Sequence, residues 1–473
     1  MSDEPVGVFG GSYFRATEAS QRVQFRRALT LTFMTLVMPG SAQLVMGNRR
    51  IGRIALRVWL GFLLLGGLVL TLVLTSRSGL FSLLTNELAL TLGRWILIVG
   101  AVAWVALLLD AWRLGRPLQL ARKHRLWMTG LNAMLCVGTA GVMLFGAHLV
   151  AVQNGFIGAV FASEKVSGPE SGRYNVLLLG GDSGKGRSGL RPDSLTLASI
   201  DAETGRTVLV GLPRNLENVP FPKGSVMARQ FPRGFDGELN GINTWANDHH
   251  QLFGEKKPGL DATIGAVEEI TGLKVNYHAM VNLRGFARLV DAVGGVTIDV
   301  KERTAIGGIG APIRGWIPAG RQKLDGTETL WYARSRVQND DWSRMGRQKC
   351  VMHSMLTQLS PQSVLMNAEK IAESSKALLR TDIPSSQLGT FMDLALKAKS
   401  QKISTVSLVP PVIFTGSPDY DKVRRLVDKA IAKAEGTART SGILEAKLSM
   451  PDTKQDRKDP RKANQAEDLD ALC

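Results

Sequence analysis

The first third of the chain carries four long apolar stretches. They are Ala28 to Met46, Val58 to Thr75, Leu88 to Leu109 and Trp127 to Val152. About 20 apolar residues are needed for a helix to cross a bilayer, so the last three predict membrane spans near 58–75, 88–109 and 127–152. The first stretch is broken at Pro39-Gly40 and has arginines on both sides, which predicts a re-entrant or interfacial segment at 28–46.

Basic residues in the connecting loops predict the orientation of this membrane region. The loop from Asp110 to Arg125 carries five Lys or Arg residues, whereas the loop from Ser76 to Glu87 carries Arg77 against Glu87. Basic loops stay on the cytoplasmic side of a membrane. We therefore predict a cytoplasmic segment at 1–27, a multi-pass region at 28–155 in the plasma membrane, and an extracytoplasmic domain after it.

Beyond residue 155 the pattern changes to short apolar runs separated by polar loops. A linker containing Gly, Ser and Pro is predicted at 156–172. From there to residue 435, strand-like runs alternate with helical patterns, which predicts an α/β domain whose sheet is covered by helices. Residues 436–473 are poor in apolar side chains, which predicts a flexible tail.

Charge and motifs exclude some functional classes. The formal net charge is +17, and residues 1–165 hold 16 Lys and Arg against 6 Asp and Glu, a surplus of 10. More than half of the excess therefore flanks the membrane segments, and no nucleic-acid partner is predicted. A nucleotide-binding P-loop is excluded because Leu179 and Gly186 stand where its first Gly and its Ser or Thr are required.

Charged residues follow two strand-like runs, Val176 to Leu179 and Val208 to Leu212. Between the runs lie Asp182, Lys185, Arg187, Arg191 and Asp193, and the second run leads into Arg214. Carboxylates hold hard divalent cations through oxygen, and guanidinium groups bind phosphate oxygens in pairs. This pattern predicts a site for pyrophosphate with Mg²⁺ (or Mn²⁺), in which Arg187, Arg191 and Arg214 contact the phosphates.

A second basic cluster lies further along the chain. Arg334 and Arg336 alternate as on a strand, and Arg344 and Arg347 are three residues apart, as on one helix face, with Gln348 next to them. Four arginines from two elements predict an anion site rather than a solvated basic face.

Two further patterns leave alternatives open. Phe286, Leu289 and Val293 recur at helical spacing, which favours an ordinary core face over a lipid groove. Cys350 and Cys473 either pair in an oxidising compartment or remain free thiols.

The order of short motifs resembles the LytR-CpsA-Psr family of cell-wall glycopolymer ligases. The similarity runs from about Tyr174 to Leu359 and rests on Gly180-Gly181-Asp182, Arg191-Pro192-Asp193-Ser194, Leu212-Pro213-Arg214, Leu239-Asn240, Leu324-Asp325-Gly326, Tyr332-Ala333-Arg334-Ser335-Arg336 and Arg344-Met345-Gly346-Arg347-Gln348. The element from Pro39 to Leu44 together with several spans resembles actinobacterial-type members.

The resemblance implies a mixed central sheet and a phosphotransferase. Such an enzyme moves a glycan with one phosphate from a polyprenyl-pyrophosphate carrier to a peptidoglycan hydroxyl, usually the 6-OH of N-acetylmuramic acid. Carried over by position, Asp182 and Asp193 would hold the metal and act in catalysis with Arg191 and Arg214. The pyrophosphate would be bound by Arg191, Arg214, Arg334 and Arg336, supported by Arg344, Arg347 and Gln348.

Two positions depart from the family pattern. Asn215 stands where an Asp is common, so no proton acceptor is assigned there, and Asp182 and Asp193 both remain candidates for the base. Glu238 replaces a Lys that is common before the Leu-Asn pair. Two other functions stay open: a pyrophosphatase that hydrolyses the lipid carrier, and a non-catalytic membrane-bound regulator or sensor of lipid-linked precursors.

Overall fold

The structure, a computed structural model, consists of two compact units, Met1–Asn154 and Gly155–Cys473. It describes residues 10–75, 83, 85–161, 165–182, 191–254, 257–308, 312–338, 340–358, 379–401, 403–436 and 473. Each unit is considered by itself below.

The first unit is helical. Its helices are α1 (Gly10–Val37), α2 (Ser41–Met46), α3 (Arg49–Thr75), α4 (Glu87–Leu114) and the beginning of α5 (Arg122–Val160). Within the described residues, three segments are long and apolar enough to cross a membrane: Arg49–Thr71, Glu87–Gln119 and Arg122–Gly158. The second and third segments contain the predicted spans 88–109 and 127–152, and the first overlaps most of the predicted span 58–75.

The segment predicted to be re-entrant or interfacial forms a sharp helical hairpin. Helix α1 ends before Pro39, Gly40 has a φ of 92°, and α2 follows at once. A side chain at Gly40 would meet Ala55 Cβ at 2.7 Å, so glycine is required both for its conformation and for its close approach to α3. The Gln43 amide then donates to Leu107 O at 3.0 Å and Asp110 Oδ2 at 3.1 Å, which ties α2 to α4.

The second unit is built on a mixed sheet. Its strands are β1 (Arg173–Asp182), β2 (Arg191–Asp201), β3 (Thr207–Leu212), β4 (Tyr277–Asn282), β5 (Val296–Val300), β6 (Thr304–Ile306), β7 (Gly315–Ile317), β8 (Gly320–Leu324), β9 (Leu379–Thr381) and β10 (Ser404–Ser407). In the described part, six of them form one sheet in the order β10-β3-β2-β1-β4-β9. Pairs β1–β2, β2–β3 and β4–β9 are antiparallel, whereas β1–β4 and β3–β10 are parallel. The predicted mixed sheet is confirmed.

Helices cover both faces of this sheet. They are α6 (Val226–Gln230), α7 (Ile242–Asp248), α8 (Gly259–Thr271), α9 (Leu283–Ala292), α10 (Gly326–Arg334), α11 (Asp341–Gln358), α12 (Leu388–Lys399) and α13 (Tyr420–Glu435). Because side chains alternate along a strand, Leu197 joins the core formed with α8 and α13, while Ala198 faces Met352 and Leu356 of α11. The small antiparallel pairs β5–β8 and β6–β7 lie outside the main sheet.

The boundary between the membrane region and the predicted linker differs from the sequence prediction. Helix α5 continues to Val160, so the predicted linker at 156–172 begins as helix; Phe156, Ile157 and Val160 keep the apolar spacing of the preceding turns.

A disulfide joins Cys350 to Cys473, with a Cα–Cα distance of 5.1 Å. The predicted flexibility of the tail concerns residues 437–472, which lie outside the described part of the chain.

Candidate active site

Three strand ends meet at one edge of the main sheet. Strand β1 ends at Asp182, which pairs in register with Arg191 at the start of β2, and β3 ends just before Pro213 and Arg214. Because β2 runs antiparallel between the other two strands, its first residues lie beside the last residues of both. Arg191 and Asp193, predicted to lie between two strands, belong to a third strand that was not predicted, although the alternation of Leu195 and Leu197 was a usable signal.

At this edge, Asp193 and Arg214 form a direct ion pair. Arg214 Nη1 donates to Asp193 Oδ1 at 2.7 Å, and the two side chains are 24% and 44% exposed respectively. From the helical layer, Arg344 Nη1 approaches the carbonyl oxygen of Asp193 at 3.4 Å. The predicted phosphate contact of Arg187 and the predicted metal contact of the Asp182 side chain fall outside the described residues.

The second basic cluster also lies at this edge of the sheet, but its arginines are not on the strand that was predicted. Arg334 is the last residue of helix α10, and Arg336 follows in the loop, so the expectation that both alternate on a strand is wrong. A capping box explains the helix: Glu328 N donates to Asp325 Oδ1 at 2.8 Å, and Asp325 N donates to Glu328 Oε2 at 3.1 Å. The Arg334 guanidinium lies over the Trp331 ring at 4.9 Å.

One carboxylate that was not predicted lies close to three arginines of the site. Asp341, the first residue of α11, accepts from Arg344 Nη2 through Oδ2 at 2.9 Å. Its Oδ1 lies 3.6 Å from Arg336 Nη1 and 3.9 Å from Arg214 Nη2. The i,i+3 spacing of Asp341 and Arg344 on a helix was the available signal.

Burial shapes the electrostatics of this cluster. Arg344 is only 4% exposed, and burial lowers its pKa, while the neighbouring Asp341 carboxylate opposes that shift. The Nε atoms of Arg214 and Arg344 are buried and have no hydrogen-bond partner among the described residues. Buried donors without a partner fit a site that receives an anion.

A cavity of about 700 Å³ opens between the sheet and helices α9, α10 and α11. Its charged and polar lining includes Arg191, Asp193, Arg214, Glu238, Asn240, Arg334, Arg336, Arg344 and Gln348. Its apolar lining includes Leu178, Ala279, Met280, Val281, Leu283, Phe286, Leu289, Leu330, Met352, Met355 and Leu356. Phe286 packs against the core cluster that contains Val290 and Tyr332, as predicted, and together with Leu289 it also lines the cavity. Helical spacing is the same whether an apolar face meets a core or a cavity.

A family model described as the LytR_cpsA_psr family matches residues 156–423, more than half of the chain. The chain belongs to the LytR_cpsA_psr family. The match covers the sheet, the helices around it and both arginine clusters, which confirms the resemblance that the motifs predicted.

Curated members of the LytR_cpsA_psr family match over part of their length. Polyisoprenyl-teichoic acid–peptidoglycan teichoic acid transferase TagU of Oceanobacillus iheyensis is 27% identical over 226 residues, covering 47% of this chain and 63% of that protein. Cell wall biosynthesis protein LcpA of Corynebacterium glutamicum is 29% identical over 241 residues, covering 44% of each. Both matches span less than two thirds of the relative's length.

Solved structures from the LytR_cpsA_psr family also resemble the chain. Bacillus subtilis TagV has a TM-score of 0.41 at 20% identity and covers 57% of this chain and 100% of its own. TagT bound to LI-WTA has a TM-score of 0.38 at 18% identity, covering 58% and 94%.

The LytR_cpsA_psr signature at the start of α11 contains one arginine that the structure places elsewhere. Arg347 Nε donates to Tyr332 O at 2.7 Å, and its Nη2 donates to Ser335 O. Arg347 is 3% exposed and is absent from the described residues that line the cavity. The structure thus corrects its predicted contact with pyrophosphate: Arg347 holds the end of α10. Gln348 does line the cavity, and its amide donates to Ala333 O at 3.2 Å.

Proposed function

We propose that the protein transfers a glycan with one phosphate from a polyprenyl-pyrophosphate carrier to a peptidoglycan hydroxyl, the 6-OH of N-acetylmuramic acid. The observation that carries this proposal is the single cavity in which clustered arginines adjoin an apolar wall. A lipid pyrophosphate has two matching parts, an anionic diphosphate for the arginines and an apolar chain for the wall. The relative TagU is a polyisoprenyl-teichoic acid–peptidoglycan teichoic acid transferase by name, which supports a transfer of glycopolymer onto peptidoglycan.

The charge of the lining suits a pyrophosphate diester. Among the described residues, five arginines and two carboxylates line the cavity, a surplus of three positive charges, and Asp341 behind them reduces it to two. A pyrophosphate diester bears one negative charge on each phosphate. Arginine is suited to such a ligand because its fork of donors matches phosphate oxygens.

The same arginines would act on the reacting phosphate. In phosphoryl transfer, charge develops on the equatorial and leaving oxygens, and catalysis comes mainly from positioning and from fixed positive charge. Arg214, Arg336 and Arg344 surround Asp341 and are therefore already oriented before the donor binds. Asp341 acts as a positioning residue for them.

The residues present fit a magnesium ion that the substrate helps to hold. Among the described residues, no group of three or more His, Cys, Asp or Glu side chains lies together. Mg²⁺ is commonly bound by one or two carboxylates together with water and substrate phosphates. Asp193 is 44% exposed at the cavity, and Asp182 ends the neighbouring strand, so these two would hold Mg²⁺ or Mn²⁺. When bound, the ion would neutralise charge on the phosphates.

The apolar lining would hold the carrier lipid. Met280, Phe286 and Leu289 are among the side chains that face the cavity. Burying each methylene of a prenyl chain against such a wall contributes about 0.8 kcal/mol. With three segments able to cross a membrane and basic loops inside, the catalytic unit would work outside the cell, where the lipid bilayer presents its donor and peptidoglycan lies nearby.

The test uses the purified full-length protein in detergent micelles with Mg²⁺, a polyprenyl-pyrophosphate glycan and peptidoglycan fragments. We expect a phosphodiester-linked glycan on the fragment, lost on adding a chelator. Release of lipid phosphate and glycan phosphate without any linked product would identify a pyrophosphatase. Retention of the donor without turnover would identify a regulator or sensor.

A further inference from the structure

Two carboxylates line the cavity in the described part of the chain, and they have different surroundings. Asp193 accepts a hydrogen bond from Arg214 at 2.7 Å. Glu238 is exposed, and its carboxylate makes no ion pair or hydrogen bond to any described residue. The hydrogen bond from Arg214 occupies an oxygen of Asp193, whereas both carboxylate oxygens of Glu238 are without such a partner among the described residues. Glu238 is thus the lining carboxylate that is available to take a proton.

The backbone around Glu238 is fixed beside Arg214. Leu239 N donates to Leu216 O at 2.8 Å, and Asn240 N donates to Arg214 O at 3.0 Å. These bonds bind the Glu238 segment to the chain that carries the cavity's central arginine. Since Glu238 and Arg214 also line the same cavity, the Glu238 carboxylate shares one site with the phosphate that Arg214 would hold.

The neighbouring Asn240 gives an independent sign of a polar ligand. It lines the cavity, is only 2% exposed, and its Oδ1 has no hydrogen-bond partner among the residues described. A buried amide oxygen without a partner is costly unless a ligand or water supplies a donor. The hydroxyl groups of a sugar acceptor are such donors.

We propose that Glu238 is the general base for the acceptor hydroxyl, an inference that rests on the proposed transfer. The hydroxyl proton passes to the Glu238 carboxylate as the hydroxyl oxygen bonds to the glycan-bearing phosphorus. The bond from that phosphorus to the bridging oxygen breaks, and its electron pair leaves on polyprenyl phosphate. The glycan becomes joined to the acceptor through a phosphodiester, and Glu238 returns its proton to water.

The test compares Glu238→Gln, Glu238→Ala and Glu238→Lys with the wild type at saturating donor and acceptor. We expect Glu238→Gln to lower kcat about 10²- to 10⁴-fold, the usual contribution of a general base, while the donor is retained. Added formate, a small carboxylate, should restore part of the activity of Glu238→Ala. Glu238→Lys, which introduces the residue type that the family resemblance led us to expect, should be as slow as Glu238→Gln.

A matched control variant shows whether the loss of activity is specific to Glu238. Glu203→Gln changes an exposed glutamate just beyond the far end of β2 and should leave kcat unchanged. Transfer by Glu238→Gln or Glu238→Lys within a few-fold of the wild type would overturn the inference, as would a loss in Glu238→Ala that formate does not relieve. Failure of the wild type to form the phosphodiester would instead refute the proposed function itself.

Discussion

Two arginines one turn apart on α11 are almost equally buried but have different partners. Arg344 meets the Asp341 carboxylate and lines the cavity, whereas Arg347 donates to the carbonyl oxygens of Tyr332 and Ser335. A carboxylate can share an arginine with an incoming anion, but backbone carbonyls at a helix end need their donor permanently. The identity of the partner, rather than burial, separates an arginine that serves the site from one that holds the fold.

The largest expected effect concerns the arginines around Asp341. Arg214→Ala removes a fixed positive charge from the proposed phosphate site, and we expect the transfer rate to fall about 10²- to 10³-fold. Because Arg214 is partly exposed, the thermal midpoint should change little. A transfer assay run beside a melting curve checks both. Wild-type activity in this variant would show that the cluster does not act on the donor.

Arg347→Ala should mainly lower the stability of the fold. It leaves two buried carbonyl oxygens without donors, and we expect a loss of about 2–4 kcal/mol in the free energy of unfolding. Denaturant unfolding of the purified protein measures this loss, and Arg347→Lys should recover only part of it. A variant that keeps full stability but loses transfer would place Arg347 in the site after all.

Lys349, on the same helix, extends the comparison because its ammonium group has no acidic partner among the described residues. Burial lowers its pKa to about 7, and its Nζ donates to Ser407 Oγ. The unfolded chain holds this proton up to about pH 10.5, so stability should rise by about 2 kcal/mol between pH 7 and pH 9. Lys349→Met should lose this rise, and its advantage over the wild type should be greatest at pH 7 and below. Thermal midpoints of both proteins across this range would test it; parallel curves would contradict it.

The smallest effect is expected at the apolar wall. Phe286→Ala removes contact area for the carrier lipid, and we expect KM for a long-chain donor to rise about 5- to 30-fold, corresponding to about 1–2 kcal/mol. KM for a donor with a short prenyl chain should change less. Equal changes for both donors would mean that the lipid does not lie against Phe286.

Part of this architecture follows from the sequence, and part depends on contacts between distant residues. Strands β1 and β3 were predicted from their apolar runs, and the arginines from their clustering. Strand β2 was missed because it opens with Arg191-Pro192-Asp193-Ser194, which is typical of a loop. For Asp341 the sequence signalled only its pairing with Arg344, since Arg214 and Arg336 approach it from other segments. That Phe286 and Leu289 also line the cavity could not be predicted, because periodicity identifies an apolar face without showing what it meets.

The most direct measurement is a crystal structure of the protein with a short-chain polyprenyl pyrophosphate. Our account predicts phosphate oxygens within hydrogen-bond distance of Arg214, Arg336 and Arg344, and the prenyl chain against Met280 and Phe286. A diphosphate bound elsewhere, or a lipid chain outside the cavity, would contradict it.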